Sequence, residues 1–153
     1  VYHVPTVLGL LGSLLLTVSG STILNMVWDR DIDARMNRTK ARPLPARLID
    51  AREAWIVGLT LSALGLLWAG YLGGLFALVI FAGLFIDVVI YTMWLKRKTA
   101  WSIVWGGISG GMPILAGRVL GTGTIDVVGI MFMFGILFWI PTHILTFSIK
   151  YAD

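Results

Sequence analysis

Apolar residues dominate the chain in five long blocks, and polar residues gather in the stretches between them. Each block approaches the roughly 20 residues that a helix needs to cross the hydrocarbon of a bilayer. We expect spanning helices at 6–28, 54–73, 75–95, 101–120 and 126–149. The pattern therefore predicts an all-α, multi-pass transmembrane helical bundle, a single domain over 1–153 that is surrounded by lipid.

The composition supports a membrane protein and narrows its chemistry. Of 153 residues, 58% are hydrophobic and only 13% are charged, which is more apolar surface than a soluble domain of this length hides. The chain has no cysteine, which excludes disulfides and thiolate metal sites. Membrane lipid is the expected partner, and no nucleic acid is expected.

The basic residues indicate an orientation. Seven of the twelve Lys and Arg lie in 29–53, three more are at 96–98, and Lys150 follows the fifth block. Alternating spans place these eleven on one side of the membrane, with Arg118 alone on the other. By the positive-inside rule that side is cytoplasmic. The sequence thus predicts a multi-pass protein of the cell membrane, with its long polar loop and its C-terminus at the cytoplasmic face.

The first span ends in an amide and three carboxylates, NMVWDRDID. Asn25, Asp29 and Asp33 follow one another at intervals of four residues, so on a helix they share one face, whereas Asp31 points away as a surface partner for a neighbouring Arg. Hard oxygen donors in this arrangement suit Mg²⁺ that bridges to a diphosphate. The alternative is that the acids only cap and solubilise the span. Carboxylates at a helix C-terminus oppose its dipole, which favours the metal site.

Basic residues follow the acids in RTKARPLPARL, stiffened by Pro43 and Pro45. Guanidinium groups bind phosphate oxygens in a bidentate manner, and Lys adds a point charge. The loop therefore fits a diphosphate next to the carboxylates. Orientation of the protein in the membrane is the simpler explanation of the charge, but it does not explain the position of the charge beside the acids.

The string NMVWDRDIDARMNRTKARPLPARLI resembles the signature of the UbiA-type intramembrane prenyltransferases, whose pattern Asn-x3-Asp-x3-Asp is matched by Asn25, Asp29 and Asp33. Its wording is similar to that of the branch of the family that farnesylates protohaem IX. Three further stretches carry the same resemblance in the family's order: YTMWLKRKT (91–99), IVWGGISGGMPILAG (103–117) and FWIPTHILTFSIKYAD (138–153).

The resemblance implies a nine-helix fold nearly twice as long as this chain. On that basis the chain covers roughly the second to sixth family helices, and a second aspartate motif is expected just after Asp153. The 153 residues alone are then expected to be inactive.

The resemblance also implies roles for individual residues. Mg²⁺ held by Asp29 and Asp33, with help from Asn25, would neutralise the diphosphate of farnesyl diphosphate. The farnesyl group would then pass to a vinyl group of haem b, which is the acceptor substrate. The expected diphosphate-binding residues are Arg38, Arg42, Lys96 and Arg97, although Lys96 and Arg97 equally suit snorkelling charges that orient a span.

His143, two residues after Pro141, is the candidate haem contact, with Tyr91 beside the acceptor. A lone histidine within a span is otherwise a packing residue, yet buried polar groups in lipid are functional candidates. Asp87 lies one turn before Tyr91; we expect it to face the bundle interior, protonated or paired with Tyr91, without a catalytic role. The glycine pairs of 101–120 are expected to serve close helix packing.

Two other functions stay open at this stage. One is a UbiA-type prenyltransferase that acts on a quinone precursor or an archaeal-lipid acceptor. The other, from a different class, is an ion-binding transporter or structural membrane fragment. The clustered carboxylates argue against a transporter, because an ion pathway needs them near the bilayer midplane.

Overall fold

The computed structural model describes the backbone of residues 3–150 and, within that range, the side chains except those at 141, 144, 145, 147, 148 and 150. Every regular element in this part of the chain is helical: α1 (Val4–Trp28), α2 (Arg30–Asp33), α3 (Ala51–Leu72), α4 (Gly74–Phe85), a π-helix (Ile86–Leu95), α5 (Ser102–Thr122) and α6 (Val127–Lys150). The predicted all-α class is confirmed. The chain divides into two compact units, Val1–Trp68 and Ala69–Asp153, and each is described by itself.

Four helical stretches are long and apolar enough to cross a membrane: Val4–Trp28, Ala51–Leu72, Gly74–Leu95 and Ser102–Thr122. The fifth predicted span falls in α6, where the apolar stretch among the described residues is the shorter Val127–Ile140. The helix ends differ from the predicted ones by a few residues, as expected where hydropathy alone marks the boundary. The multi-pass membrane architecture is therefore confirmed.

In the first unit, small residues let the backbones of α1 and α3 touch. A Cβ added to Gly20 would lie 2.7 Å from the carbonyl oxygen of Gly58, and one added to Gly65 would lie 2.8 Å from the backbone nitrogen of Thr17. Without a hydrophobic effect between helices in lipid, such close backbone contact supplies the packing energy. The seam fixes the spacing of the two helices at the end where the polar loop joins them.

The polar loop is anchored there by Leu44, which is buried in a cluster with Val27 of α1 and Ala54 of α3. The loop forms one helical turn, and two backbone bonds close it: the Leu48 N–H donates to the Pro43 oxygen at 2.9 Å, and the Arg47 N–H donates to the Leu44 oxygen at 3.1 Å. This is a Schellman motif with Arg47 at the left-handed position, φ 58°. Glycine usually stands there, because a side chain costs about 1–2 kcal/mol in that conformation.

In the second unit, α5 packs between the α4–π helix and α6. Its glycines receive large side chains from both neighbours. A Cβ on Gly107 would lie 2.6 Å from Leu137 Cδ1, and one on Gly111 would lie 2.7 Å from the carbonyl oxygen of Met133. The predicted packing role of the glycines in this span is thus confirmed for the contact with α6.

The span Gly74–Leu95 changes its winding half-way. From Ile86 to Leu95 it is a π-helix, and its last bond runs over five residues, from the Lys96 N–H to the Tyr91 oxygen at 2.8 Å. Long π-helices are rare and often lie at functional sites. The mostly apolar sequence of this span predicted a helix but contained no sign of the change in winding.

Candidate functional site

The three residues of the acidic motif lie where α1 gives way to α2. The helix predicted to run through all of them is interrupted at Asp29, which lies between α1 and α2 with φ −89° and ψ 2°. Hydrogen bonding nevertheless continues across the break: the Asp29 N–H donates to the Asn25 oxygen, and the Asp33 N–H donates to the Asp29 oxygen, both at 2.9 Å. Successive motif residues therefore stay one turn apart.

The two carboxylates assigned to metal binding are the buried ones. Asp29 is 7% exposed and Asp33 is 8% exposed, whereas Asp31 is exposed, as expected for a surface residue. Burial of a carboxylate is costly unless a charge, a hydrogen bond or a metal compensates it. The burial pattern thus separates Asp29 and Asp33 from an acid that merely solubilises the helix end.

The basic loop folds back onto Asp33. Arg42 Nη1 donates to Asp33 Oδ2 at 3.0 Å, and Thr39 Oγ1 donates to the Asp33 carbonyl oxygen at 2.9 Å. Thr39 is fully buried, and nothing in the sequence indicated that it would bind to Asp33. Arg38 is exposed, and Lys40 donates to Asn37 Oδ1 at 3.0 Å. Of Arg38 and Arg42, the two predicted diphosphate-binding arginines of this loop, Arg42 is therefore the one that lies on the Asp33 carboxylate.

This donor set fits a magnesium ion that is shared with a substrate. Asp29 and Asp33 offer carboxylate oxygens and Asn25 an amide, all hard ligands. Mg²⁺ usually takes one or two carboxylates, keeps several waters and completes its shell with substrate phosphates. Within residues 3–150 no group of three or more His, Cys, Asp or Glu forms a metal cluster. The residues fit an ion held together with a diphosphate, not one closed in by protein ligands.

Lys96 and Tyr91 come together through the π-helix. Five residues rotate an α-helix by about 140° past a full turn, so the two side chains would diverge. In the π-helix they stack, and Lys96 Nζ lies 5.5 Å from the centroid of the Tyr91 ring, a cation–π contact. The Tyr91 ring also packs over Gly106 of α5. Lys96 and Arg97 are both exposed at the end of this helix.

The remaining polar candidates in spans have neighbours of their own. Asp87 is half-buried, and Ser109 Oγ of α5 donates to its Oδ1 at a long 3.5 Å. His143 is exposed on α6, and its ring is stacked on that of Trp139, with centroids 5.1 Å apart and planes 8° apart. Pro141 lies outside the described side chains. The assignments of Tyr91 and His143 to the acceptor stay predictions.

A second acid–base pair lies at the turn between α5 and α6. Arg118 Nη2 donates to Asp126 Oδ2 at 2.6 Å, and its Nε donates to the same oxygen at 3.0 Å. Asp126 also caps α6, because its Oδ1 accepts from the Gly129 N–H at 2.8 Å. Hydrogen bonds from the Arg118 guanidinium and, to a smaller extent, from that N–H hold the pKa of Asp126 below its usual value. An aspartate before an apolar run signals such a cap, but no pattern in the sequence indicated the pairing with Arg118.

The pattern of the UbiA prenyltransferase family matches residues 2–153. The chain belongs to this family. The family resemblance seen in the motif is thereby confirmed.

Among curated relatives, the chain is 46% identical over 137 residues to the protoheme IX farnesyltransferase of Pyrobaculum islandicum, covering 89% of this chain and 49% of that protein. It is 43% identical to the enzyme of the same name from Archaeoglobus fulgidus, over 92% of this chain and 50% of that protein. For the one from Azorhizobium caulinodans the identity is 40%, over 99% and 50%. The chain thus spans about half the length of these relatives. No solved structure matches it.

Proposed function

We propose that the protein transfers a farnesyl group from farnesyl diphosphate to a vinyl group of protohaem IX, converting haem b to haem O and releasing diphosphate in a Mg²⁺-dependent reaction. The names of relatives at 40–46% identity support this acceptor. The observation that carries the proposal is the buried pair Asp29 and Asp33, with Arg42 on the second carboxylate.

Asp29 and Asp33, with Asn25, would hold the magnesium ion at the end of α1. When bound, the ion neutralises charge on the diphosphate and acts as a Lewis acid toward it. The two carboxylates would fix where the diphosphate binds, since both residues are buried. The allylic C–O bond would then break with its electron pair leaving on the diphosphate, and the vinyl π-electrons would form the new C–C bond. Water would add to the carbocation left on the former vinyl group and lose a proton, so that charge and atoms balance.

Arg42 would bind both Asp33 and the diphosphate. Its side chain is 43% exposed, whereas that of Asp33 is 11% exposed, so the guanidinium reaches outward from a fixed carboxylate. One N–H is used on Asp33 Oδ2, and a guanidinium has five, which leaves donors for phosphate oxygens. Arg38, Lys96 and Arg97 are proposed as further diphosphate ligands.

His143 and Tyr91 are proposed to contact the haem. The stacked rings of His143 and Trp139 form a flat aromatic surface on α6, which suits the face of a macrocycle. The basic loops favour an orientation with the carboxylates at the cytoplasmic face of the cell membrane.

The test is an assay of the purified protein as it occurs, with whatever sequence flanks the 153 residues. It is incubated in detergent with protohaem IX, Mg²⁺ and labelled farnesyl diphosphate. We expect farnesylated haem, its loss on chelation of Mg²⁺, and its loss in Asp29→Asn. Glu53→Gln is the matched control, since Glu53 is an exposed carboxylate of the first turn of α3. Transfer to a quinone precursor but not to haem would contradict the acceptor, and full activity of Asp29→Asn would contradict the metal site.

A further inference from the structure

A cleft lies at the loop end of α1 and α3, with a volume of about 580 Å³. Neither Asp29 nor Asp33 lines it, so it is distinct from the proposed magnesium site. Leu44 and Pro45 form part of its apolar lining. Four charged residues line it as well: Arg30, Arg47, Asp31 and Asp50. Equal numbers of positive and negative groups suit a ligand that carries both charges.

Arg47 enters this cleft from a strained backbone position. It occupies the left-handed residue of the Schellman motif, φ 58°, where glycine would be free of strain. A side chain held there against a conformational cost, and lining a cavity, indicates that the guanidinium is used. Asp50 is held in place from the other side, because its Oδ1 accepts from the Arg52 N–H at 2.7 Å at the start of α3.

The surroundings of the cleft indicate where its ligand comes from. Leu48 and Ile49, which follow Arg47 directly, are 76% and 45% exposed. The cleft lies where α1 ends and α3 begins. Because both helices are long and apolar enough to cross a membrane, we expect this to be the depth where acyl chains meet headgroups. Apolar side chains exposed beside arginines at that depth match a lipid, with chains on the former and phosphate on the latter.

We propose that this cleft binds the headgroup of a phosphoethanolamine phospholipid. Its phosphate is bound by Arg30 and Arg47, and its ammonium group lies toward Asp31 and Asp50. Guanidinium groups suit the phosphate oxygens, and carboxylates accept hydrogen bonds from a primary ammonium. A choline headgroup has no N–H to donate, and a glycerol headgroup leaves the two carboxylates facing a net anion. The site is separate from prenyl transfer and does not depend on it.

The test is native mass spectrometry of the purified protein titrated with phosphatidylethanolamine, phosphatidylcholine and phosphatidylglycerol of the same acyl chains. We expect phosphatidylethanolamine to bind about tenfold more tightly than the other two, because charge-assisted hydrogen bonds are lost with either. Soluble phosphoethanolamine and inorganic phosphate are titrated in parallel to separate a lipid site from a site for a free phosphate.

Arg47→Gly is the decisive variant, since it removes the guanidinium and the backbone strain together. We expect it to weaken phosphatidylethanolamine binding about tenfold while the melting temperature rises, so that lost binding is not a sign of misfolding. Arg30→Gln should weaken the lipid to a similar extent. Arg35→Gln is the matched control, because this exposed arginine follows α2 without lining the cleft.

Three results would overturn the proposal. The first is equal binding of the three lipids, or no lipid binding, which would mean that the charges do not select a headgroup or that another segment covers the cleft. The second is unchanged binding in both Arg47→Gly and Arg30→Gln. The third is binding of inorganic phosphate or soluble phosphoethanolamine as tight as that of the lipid, which would assign the cleft to a free phosphate.

Discussion

Two arginine–aspartate pairs in this protein differ in how many hydrogen bonds the carboxylate accepts from the protein. Asp126 accepts from two nitrogens of Arg118 and from the Gly129 N–H, so its oxygens are committed to the turn between α5 and α6. Asp33 is more deeply buried, yet one bond of 3.0 Å joins it to Arg42, whose side chain is 43% exposed. A carboxylate whose oxygens are all bonded to protein donors is typical of a structural clamp. A buried carboxylate with one outward-reaching partner is suited to receive an ion or substrate.

The largest expected effect comes from removing the charge of each carboxylate in turn. Asp33→Asn should lower the rate of farnesyl transfer about a hundredfold or more, since metal-held charge stabilisation is worth several kcal/mol. Asp126→Asn should leave the rate close to wild type, because Asn still caps α6. Product formation per enzyme, at saturating farnesyl diphosphate, measures both. If the two variants lose activity equally, the distinction between a structural Arg118–Asp126 pair and a functional Asp33 is wrong.

Arg42 should matter for binding more than for folding. Arg42→Gln should raise the KM for farnesyl diphosphate about tenfold, because it removes a charge-assisted hydrogen bond to phosphate. Arg42→Lys should restore part of the affinity, since it keeps the charge but not the planar fork. Arg35→Gln, in the same loop region, serves as the control and should leave KM unchanged. A KM unaffected in Arg42→Gln would show that this arginine only stabilises Asp33.

The packing of the second unit gives the next effect in size. Gly111→Ala should destabilise the protein by about 1–3 kcal/mol, because its Cβ would meet the backbone oxygen of Met133, which cannot move aside. In Gly129→Ala the added Cβ would lie 3.0 Å from Leu115 Cδ1 and 3.1 Å from Arg118 Cγ and Asp126 Oδ1. These are side-chain atoms at longer distances, so a smaller destabilisation is expected. Thermal unfolding in detergent compares the two. Equal destabilisation would mean that the turn around Asp126 is as rigid as the contact between α5 and α6 at Gly111.

The parts of this structure that the sequence predicted are those with a single strong cause. Spans follow from the need to satisfy every backbone group inside lipid, so hydropathy alone located them. Spacing placed Asn25, Asp29 and Asp33 together, and the four-residue hydrogen bonds preserve that arrangement even across the break at Asp29. The charge pattern could not show that Arg42, and not Arg38, folds back on Asp33.

The features that escaped prediction depend on local geometry that leaves no trace in composition. Hydropathy does not distinguish an α-helix from a π-helix in an apolar span, so the contact between Lys96 and Tyr91 could not be predicted. Arg47 occupies a left-handed position. A glycine there would have indicated this conformation, whereas an arginine indicated only a charge. The cleft that it lines requires the loop to be folded.

The smallest expected effect is the pH dependence of the Asp126 clamp. Its pKa is lowered in the folded state from an ordinary value of 3.8, with Arg118 as the main cause. A carboxylate with a depressed folded pKa adds stability that is fully present above the unfolded pKa and is lost as the pH falls through the folded pKa. The melting temperature of Asp126→Asn should therefore lie a few degrees below wild type at pH 7. The gap should close as the pH is taken below 3.8.

Arg118→Gln should show the same closure, and the double variant should add little, because one interaction is being removed twice. A gap that persists at low pH would mean that the Asp126 side chain stabilises the turn without its charge, and therefore not through the arginine.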